Sequence, residues 1–257
     1  MASISTPSAP AAVDALALAA HRDDVEQTCG GALLRLAEAG ARTAALELTG
    51  GEMGTRGDAA RRAQEAEAAA RCLRLAWRGN LQLPDGGLDL RPEFVHAAAA
   101  AIRRLRPRLL LLPYPRARHP DHAIAGRLGY RAAFLAGLSK LALPGGEPAF
   151  RPHSILYASL YARREPSLIV DISSQFERRT EALLAYRSQY ADQAAGAAIF
   201  PPEAEILPRL EALARYYGMM IGVRYGEPYI SPAPLRAGDL RALDFDTFTT
   251  GGLITPF

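Results

Sequence analysis

A chain of 257 residues with 49% hydrophobic and 22% charged residues has the composition of an ordinary globular protein, long enough for one large α/β domain and short for two. The formal charge of +3 comes almost wholly from arginine, since Lys140 is the only lysine, and the arginines alternate with glutamate, as in RRAQEAEAAARCLR. Such a pattern describes a solvated helix face and argues against a nucleic-acid surface. No apolar run reaches the ~20 residues that span a bilayer, so no membrane partner is expected.

The opening MASISTPSAPAA mixes small residues with prolines and predicts a disordered leader over residues 1–12, ahead of a single domain over 13–257. It lacks the basic and apolar regions of a signal peptide. Cys29 and Cys72 are the only cysteines and neither sits in a CxxC motif. Two are too few for a disulfide framework, and the expected setting is reducing and cytoplasmic.

VDALALAAH reads as a short strand, and Val25 to Gly40 as one helix closed by a glycine. ARTAALELT is a second strand, followed by the glycine-rich loop GGEMGTRGD. A helix runs from Ala59 to about Trp77 with Asp58 as its N-cap; NLQL is a short strand closed by the turn PDGG. Pro92 to Arg106 is helical, and RLLLLPY is apolar on both faces, as buried parallel strands are. HSILYASLY and SLIVDIS are further strands, then come helices over Gln175 to about Ala191 and Pro202 to Gly218. YGEPYISPAP reads as irregular or a short edge strand. The alternation predicts an α/β, Rossmann-like fold: a mostly parallel sheet with helices on both faces.

Ligands of open α/β sheets gather beyond the carboxyl ends of the strands. His21, Asp23 and Asp24 follow the first strand, and His119 and His122 follow RLLLLPY. Taken alone, HxDD is a weak signal that a turn and a helix cap explain equally well. RHPDH alone is a loop-to-helix junction, with Pro120 in the first turn and Asp121 favouring the helix dipole. Their joint occurrence after two strands predicts a site. His21, Asp24 and His122 supply two imidazoles and a carboxylate, the ligand types of a catalytic zinc. Asp23 would then stand beside the metal's water as general base. His96, in an alanine-rich helix, reads as structural, and His153 as a surface residue.

The set AHRDDVEQTCGG, LTGGEMGTRG, LPDGGL, PYPRARHPDH and GVRYGEPYIS resembles, in this order, the LmbE-like (PIG-L) zinc deacetylases, from about Val13 to about Leu243. It is most similar to the N-acetylglucosaminyl-malate deacetylases of bacillithiol biosynthesis. The resemblance implies one zinc per subunit on His21, Asp24 and His122, a ligand set that other divalent metals also accept. It implies Asp23 as general base, and His119 as the group that stabilises the oxyanion and protonates the leaving amine. Asp121 would orient and charge His119, while Arg62 and Arg118 would line the substrate cleft. Arg56 and Arg116 are further candidates for the two malate carboxylates. The implied substrate is a small N-acetylated sugar conjugate and the implied state a homo-oligomer, often a hexamer.

Arg22 stands where the family usually has proline, which loosens the turn before Asp23 and brings a positive charge towards the metal. An arginine near Ser154 and a tyrosine near Ile206, common in related sequences, are absent. These departures leave two rivals open: a deacetylase for another N-acetylated conjugate, and a non-catalytic binding protein on the same fold. A dinucleotide site is excluded, because CGG is not GxGxxG. Tyr216 to Ile221 reads as core or as a subunit interface.

Overall fold

The computed structural model describes residues 12–162, 164–190 and 203–235. All but the last residue of the expected leader lie outside them, as do Ala191 and Pro202 at the ends of two expected helices.

Among the described residues, seven strands form one sheet: β1 (Ala15–Ala19), β2 (Thr43–Thr49), β3 (Trp77–Leu83), β4 (Leu109–Pro113), β5 (Ser154–Ala158), β6 (Leu168–Asp171) and β7 (Gly226–Ile230). Their order is β3-β2-β1-β4-β5-β7-β6. β3, β2, β1, β4 and β5 are parallel in succession, and β7 alone runs antiparallel to its neighbours β5 and β6. The mostly parallel α/β sheet is therefore as expected. YGEPYIS, read as irregular or an edge strand, instead sits inside the sheet, and Gly226 to Tyr229 are buried.

Helices α1 (Asp24–Thr28), α2 (Gly30–Glu38), α3 (Ala59–Cys72), α4 (Pro92–Leu105), α5 (Pro120–Ala136), α6 (Phe176–Leu184), α7 (Arg187–Tyr190) and α8 (Glu203–Met220) complete the fold. Side chains alternate across a strand, so β1 divides between two cores. Leu16 and Leu18 pack with Val95 and Ile102 of α4 and Leu128 of α5. Ala15, Ala17 and Ala19 pack with Leu33, Leu34, Ala69 and Leu183 from α2, α3 and α6. None of the described helices is long and apolar enough to cross a membrane.

The expected helix from Val25 to Gly40 is broken at Cys29 into α1 and α2. The break is stabilised from far along the chain. Glu227 of β7 is fully buried and its carboxylate accepts from the backbone N–H groups of Gly31, at 3.1 Å, and Ala32, at 2.8 Å, at the start of α2. Arg179 of α6, also fully buried, donates through Nε to the Glu26 carbonyl at 2.9 Å and through NH2 to that of Gln27, at the end of α1. One carboxylate and one guanidinium, 3.5 Å apart, thus satisfy the orphan groups of two helix ends. The expected helix from Gln175 likewise divides, at Ala185 and Tyr186, into α6 and α7.

At its other end α5 leans on the tip of β4. A Cβ on Gly126 would lie 2.3 Å from the Pro113 carbonyl oxygen, so only glycine permits this approach. It brings the first turn of α5, with His122, to the same rim as the end of β1.

Candidate metal centre

The turn from β1 into α1 carries His21, Asp23 and Asp24, and it is clamped from below. The Arg22 carbonyl accepts from the Tyr186 hydroxyl at 2.5 Å and from Arg78 NH2. Arg78, from β3, also reaches Glu47 and Glu26, each at 2.6 Å, both buried. These donors hold the turn that a proline would otherwise stiffen. The positive charge of Arg22 bears on the buried Glu47 carboxylate.

Three side chains converge above this turn, Asp24 with both carboxylate oxygens. His21 Nδ1 lies 3.1 Å from His122 Nε2, His122 Nε2 lies 3.1 Å from Asp24 Oδ1, and His21 Nδ1 lies 3.5 Å from Asp24 Oδ2. Bonds of ~2.0–2.1 Å at a tetrahedral ion place neighbouring donors roughly 3.3–3.4 Å apart, close to this triangle. Two other groupings come within 4.8 Å: His21 with His119 and His122, and His21 with Asp85 and Asp121. His21 belongs to all three, and its two nitrogens separate them. Nδ1 faces His122 and Asp24, whereas Nε2 lies 3.1 Å from Asp85 Oδ1 and 3.6 Å from Asp121 Oδ2. A metal-bound imidazole characteristically gives its second nitrogen to a carboxylate, which matches Nδ1 on the metal side and Asp85 with Asp121 behind it.

The electrostatics point the same way. Burial opposes charge on His21, but the hydrogen bond and charge of Asp24, with Asp85 and Asp23, outweigh it and lift the ring to about 9. Burial likewise opposes charge on Asp24, yet His122 and then His21 hold its carboxyl well below the usual carboxylate range. Burial would lower His122 too, and Asp24 raises it. The carboxylates stabilise positive charge at the point where the three donors meet, so the residues present fit a divalent cation.

His119 caps α5, its Nδ1 accepting the backbone N–H of Asp121 at 3.2 Å. The neutral ring then carries its proton on Nε2. Burial, with the charges of His21 and His122, holds His119 below its ordinary value. The expected pairing of Asp121 with His119 is different in the fold. The Asp121 carboxylate accepts from the Gly86 N–H at 2.8 Å and faces His21, and it reaches His119 only through the field of its charge.

Asp23 stands beside the triangle. Its Oδ2 accepts from the Tyr190 hydroxyl at 2.8 Å and from Gln27 at 3.2 Å, and its Oδ1 from Arg62 at 3.4 Å. Tyr190, in α7, remains a protonated donor, since burial and then the charge of Asp23 push its phenol far up. Of the arginines expected to line the cleft, two are engaged inside the protein. Arg62 is buried and gives NH1 to the Gly51 carbonyl at 2.7 Å; Arg56 is buried and gives NH1 to the Gln189 carbonyl at 2.7 Å. Both tie the loop after β2 in place. Arg118 and Arg116 are exposed on the loop that carries His119. Ser154 opens β5 at the amino edge of the sheet, away from the site, and Ile206 in α8 packs on the core. The absence noted at Ser154 therefore lies away from the cleft, whereas Ile206 packs on the core to which Ala19, Val25, Cys29 and Ala158 belong.

Sequence reasoning alone does not single out Asp85, Gln27 or Tyr190. Asp85 was visible only within LPDG, where PDGG reads as a turn; in the fold it also accepts from Met53 N–H at 2.9 Å. Tyr190 had no local signal, because it lies 167 residues from Asp23, while Gln27, four residues beyond Asp23, is not distinguished from an ordinary helix residue.

An α/β sheet with a histidine–carboxylate cation site at its carboxyl rim and a further carboxylate alongside defines a hydrolase of the metal-dependent amidase kind. Residues 16–133 match the family described as PIG-L, GlcNAc-PI de-N-acetylase. The chain is similar to the diacetylchitobiose deacetylase of Thermococcus kodakarensis, 32% identical over 224 residues that cover 82% of this chain and 80% of that protein. Its fold is similar to the conserved protein TT1542 from Thermus thermophilus, with a TM-score of 0.79, 40% identity and coverage of 88% and 97% of the two chains. It also resembles the N,N'-diacetylchitobiose deacetylase of Pyrococcus horikoshii bound to its inhibitor MPG, with a TM-score of 0.73, 28% identity and coverage of 85% and 83%. The chain belongs to the PIG-L (LmbE-like) de-N-acetylase family.

Proposed function

We propose that this protein removes the N-acetyl group from an N-acetylglucosamine unit of a small sugar conjugate, releasing acetate and a free amine. The observation that carries the reading is the triangle of His21, Asp24 and His122 with the Asp23 carboxylate beside it. These three side chains would hold the divalent cation, zinc by donor type with iron or cobalt also suited. When bound, the cation supplies polarisation of the amide carbonyl and lowers the pKa of water to about 7.

The chain's own groups do the rest. Asp23, oriented by Tyr190, Gln27 and Arg62, takes the proton of the attacking water as its oxygen bonds to the carbonyl carbon. His119 presents Nε2–H towards the developing oxyanion, a role that needs no added charge. The C–N bond then breaks and the proton passes to the departing amine. Asp85 and Asp121 hold the His21 ring in the tautomer that leaves Nδ1 as a ligand.

For the group attached to the sugar, the motifs GEMG, LPDG and YGEPYIS support malate, as in bacillithiol biosynthesis. The similarity to diacetylchitobiose deacetylases supports a second sugar. Arg118 and Arg116, the exposed arginines beside His119, support the malate conjugate. The test is acetate release from N-acetylglucosaminyl-malate and from diacetylchitobiose, with Asp23→Asn as blank. Asp23→Asn is expected to keep its metal and lose at least about a thousandfold in kcat. An active Asp23→Asn enzyme would remove Asp23 as the base, and loss of metal with activity would make it a ligand.

A further inference from the structure

A small cavity of about 50 Å³ opens directly against Asp24 and His122. Its walls are mainly Ala19, Val25, Cys29, Leu111, Ala158 and Tyr161. Most of these are buried and apolar, and Cys29 joins them as a neutral wall, because burial and then the charge of Glu227 push its thiol far above its ordinary range. Tyr161 differs. It is 60% exposed and stands at the edge, its hydroxyl donating to Gln27 Oε1 at 3.2 Å.

On the deacetylase reading, the scissile carbonyl lies beside the point where Asp24, His21 and His122 converge. One side of the amide carries a sugar, whose hydroxyls cannot be desolvated against hydrocarbon without partners. The other side carries only the acyl chain. The cavity shares two walls with the convergence point, and the rest of its lining is mostly hydrocarbon, with Gln27, Thr28 and the Tyr161 edge as the polar exceptions. We propose that it is the acyl pocket of the enzyme, and that it takes chains of two or three carbons and excludes longer ones.

The size follows from the volume. An apolar protein cavity of about 150 Å³ holds benzene, with six carbons. A third of that volume receives about two carbons beyond the carbonyl, the methyl of an acetyl or the ethyl of a propionyl group. Ala158, at the end of β5, is a buried wall of the cavity, and Tyr161 is its exposed edge, so changes in their size should change the room for the acyl chain.

The experiment measures kcat/KM of the metal-loaded enzyme on N-acetyl-, N-propionyl-, N-butyryl- and N-hexanoyl-glucosamine. Wild type is expected to treat acetyl and propionyl within about fivefold, since one buried methylene is worth about a fourfold change. Butyryl should fall at least about a hundredfold, from overpacking. Ala158→Val should lower the propionyl-to-acetyl ratio about tenfold or more, and Tyr161→Ala should raise the butyryl-to-acetyl ratio by a similar factor. Unchanged ratios in both variants, or equal hydrolysis of acetyl and hexanoyl substrates by wild type, would overturn the pocket. Binding of acetate, propionate and hexanoate, followed by NMR, tests it without turnover. If none of the four is hydrolysed, free glucosamine derivatives are not substrates, and the carboxylate series decides the pocket alone. The pocket then stands if propionate binds more tightly than hexanoate and Ala158→Val weakens it, and falls if the carboxylates bind alike.

Discussion

Metal binding at this centre should depend steeply on pH between 7 and 9. Without metal, His21 is lifted to about 9, mostly by Asp24 acting against burial. A cation needs the ring neutral and must displace that proton. At pH 7 the ring lies two units below its pKa, so the proton lowers apparent affinity about 100-fold, or about 2.7 kcal/mol. His122 is raised as well and adds to the slope wherever it is still protonated. Apparent zinc affinity should therefore rise about tenfold from pH 7 to 8, less steeply from 8 to 9, and flatten above 9. Titration calorimetry at pH 7.5 in buffers of different ionisation enthalpy should show about one proton or more released per metal. An affinity that does not change between pH 7 and 9, or binding without proton release, would refute the argument that carboxylates hold positive charge where the donors meet.

Three further outcomes follow from the packing. Tyr190→Phe removes the 2.8 Å bond to Asp23; hydrogen bonds to a charged group contribute about 1.5–3 kcal/mol, so kcat should fall about tenfold or more with KM and metal content retained. An unchanged kcat would leave Tyr190 a packing residue. Gly51→Ala combines a φ of +73° with a Cβ that would lie 2.0 Å from Arg62 NH1, and it should cost about 2–4 kcal/mol in urea unfolding. Gly40→Ala, at φ +89° with nothing within 4 Å, isolates the backbone part and should cost less. Glu227→Gln leaves the buried Arg179 without its charged partner and should destabilise by about 3–5 kcal/mol; a loss below about 1 kcal/mol would show that α1 and α2 do not depend on it.

Much of this protein was legible along the chain. The β1 and β4 strands are runs of small or branched apolar residues ended by HRDD and by PYPRARHPDH, and strand ends of this kind must meet at one rim when the sheet is parallel. Composition and alternation therefore determined the layers of the fold and the five ionisable residues that share its carboxyl edge. Periodicity and capping are local, however, and what they cannot register are partners from elsewhere. Nothing between Val25 and Gly40 announces the break at Cys29; Arg179 lies 153 residues from Glu26, and Glu227 lies 196 residues from Gly31. YGEPYIS resembled an edge because its chain neighbours are irregular, yet the fold inserts it between β5 and β6, where Glu227 can reach the start of α2. Arg62 was expected to meet substrate from the family resemblance, and Arg56 because an arginine suits the malate carboxylates. The tertiary structure turned both inward, where carbonyl oxygens and, for Arg62, a carboxylate compensate their burial. The sequence by itself determined which chemical groups arrive at the site, and only the folded chain decided which groups stand behind them. That second decision rests on contacts between distant residues, and burial makes those contacts strong.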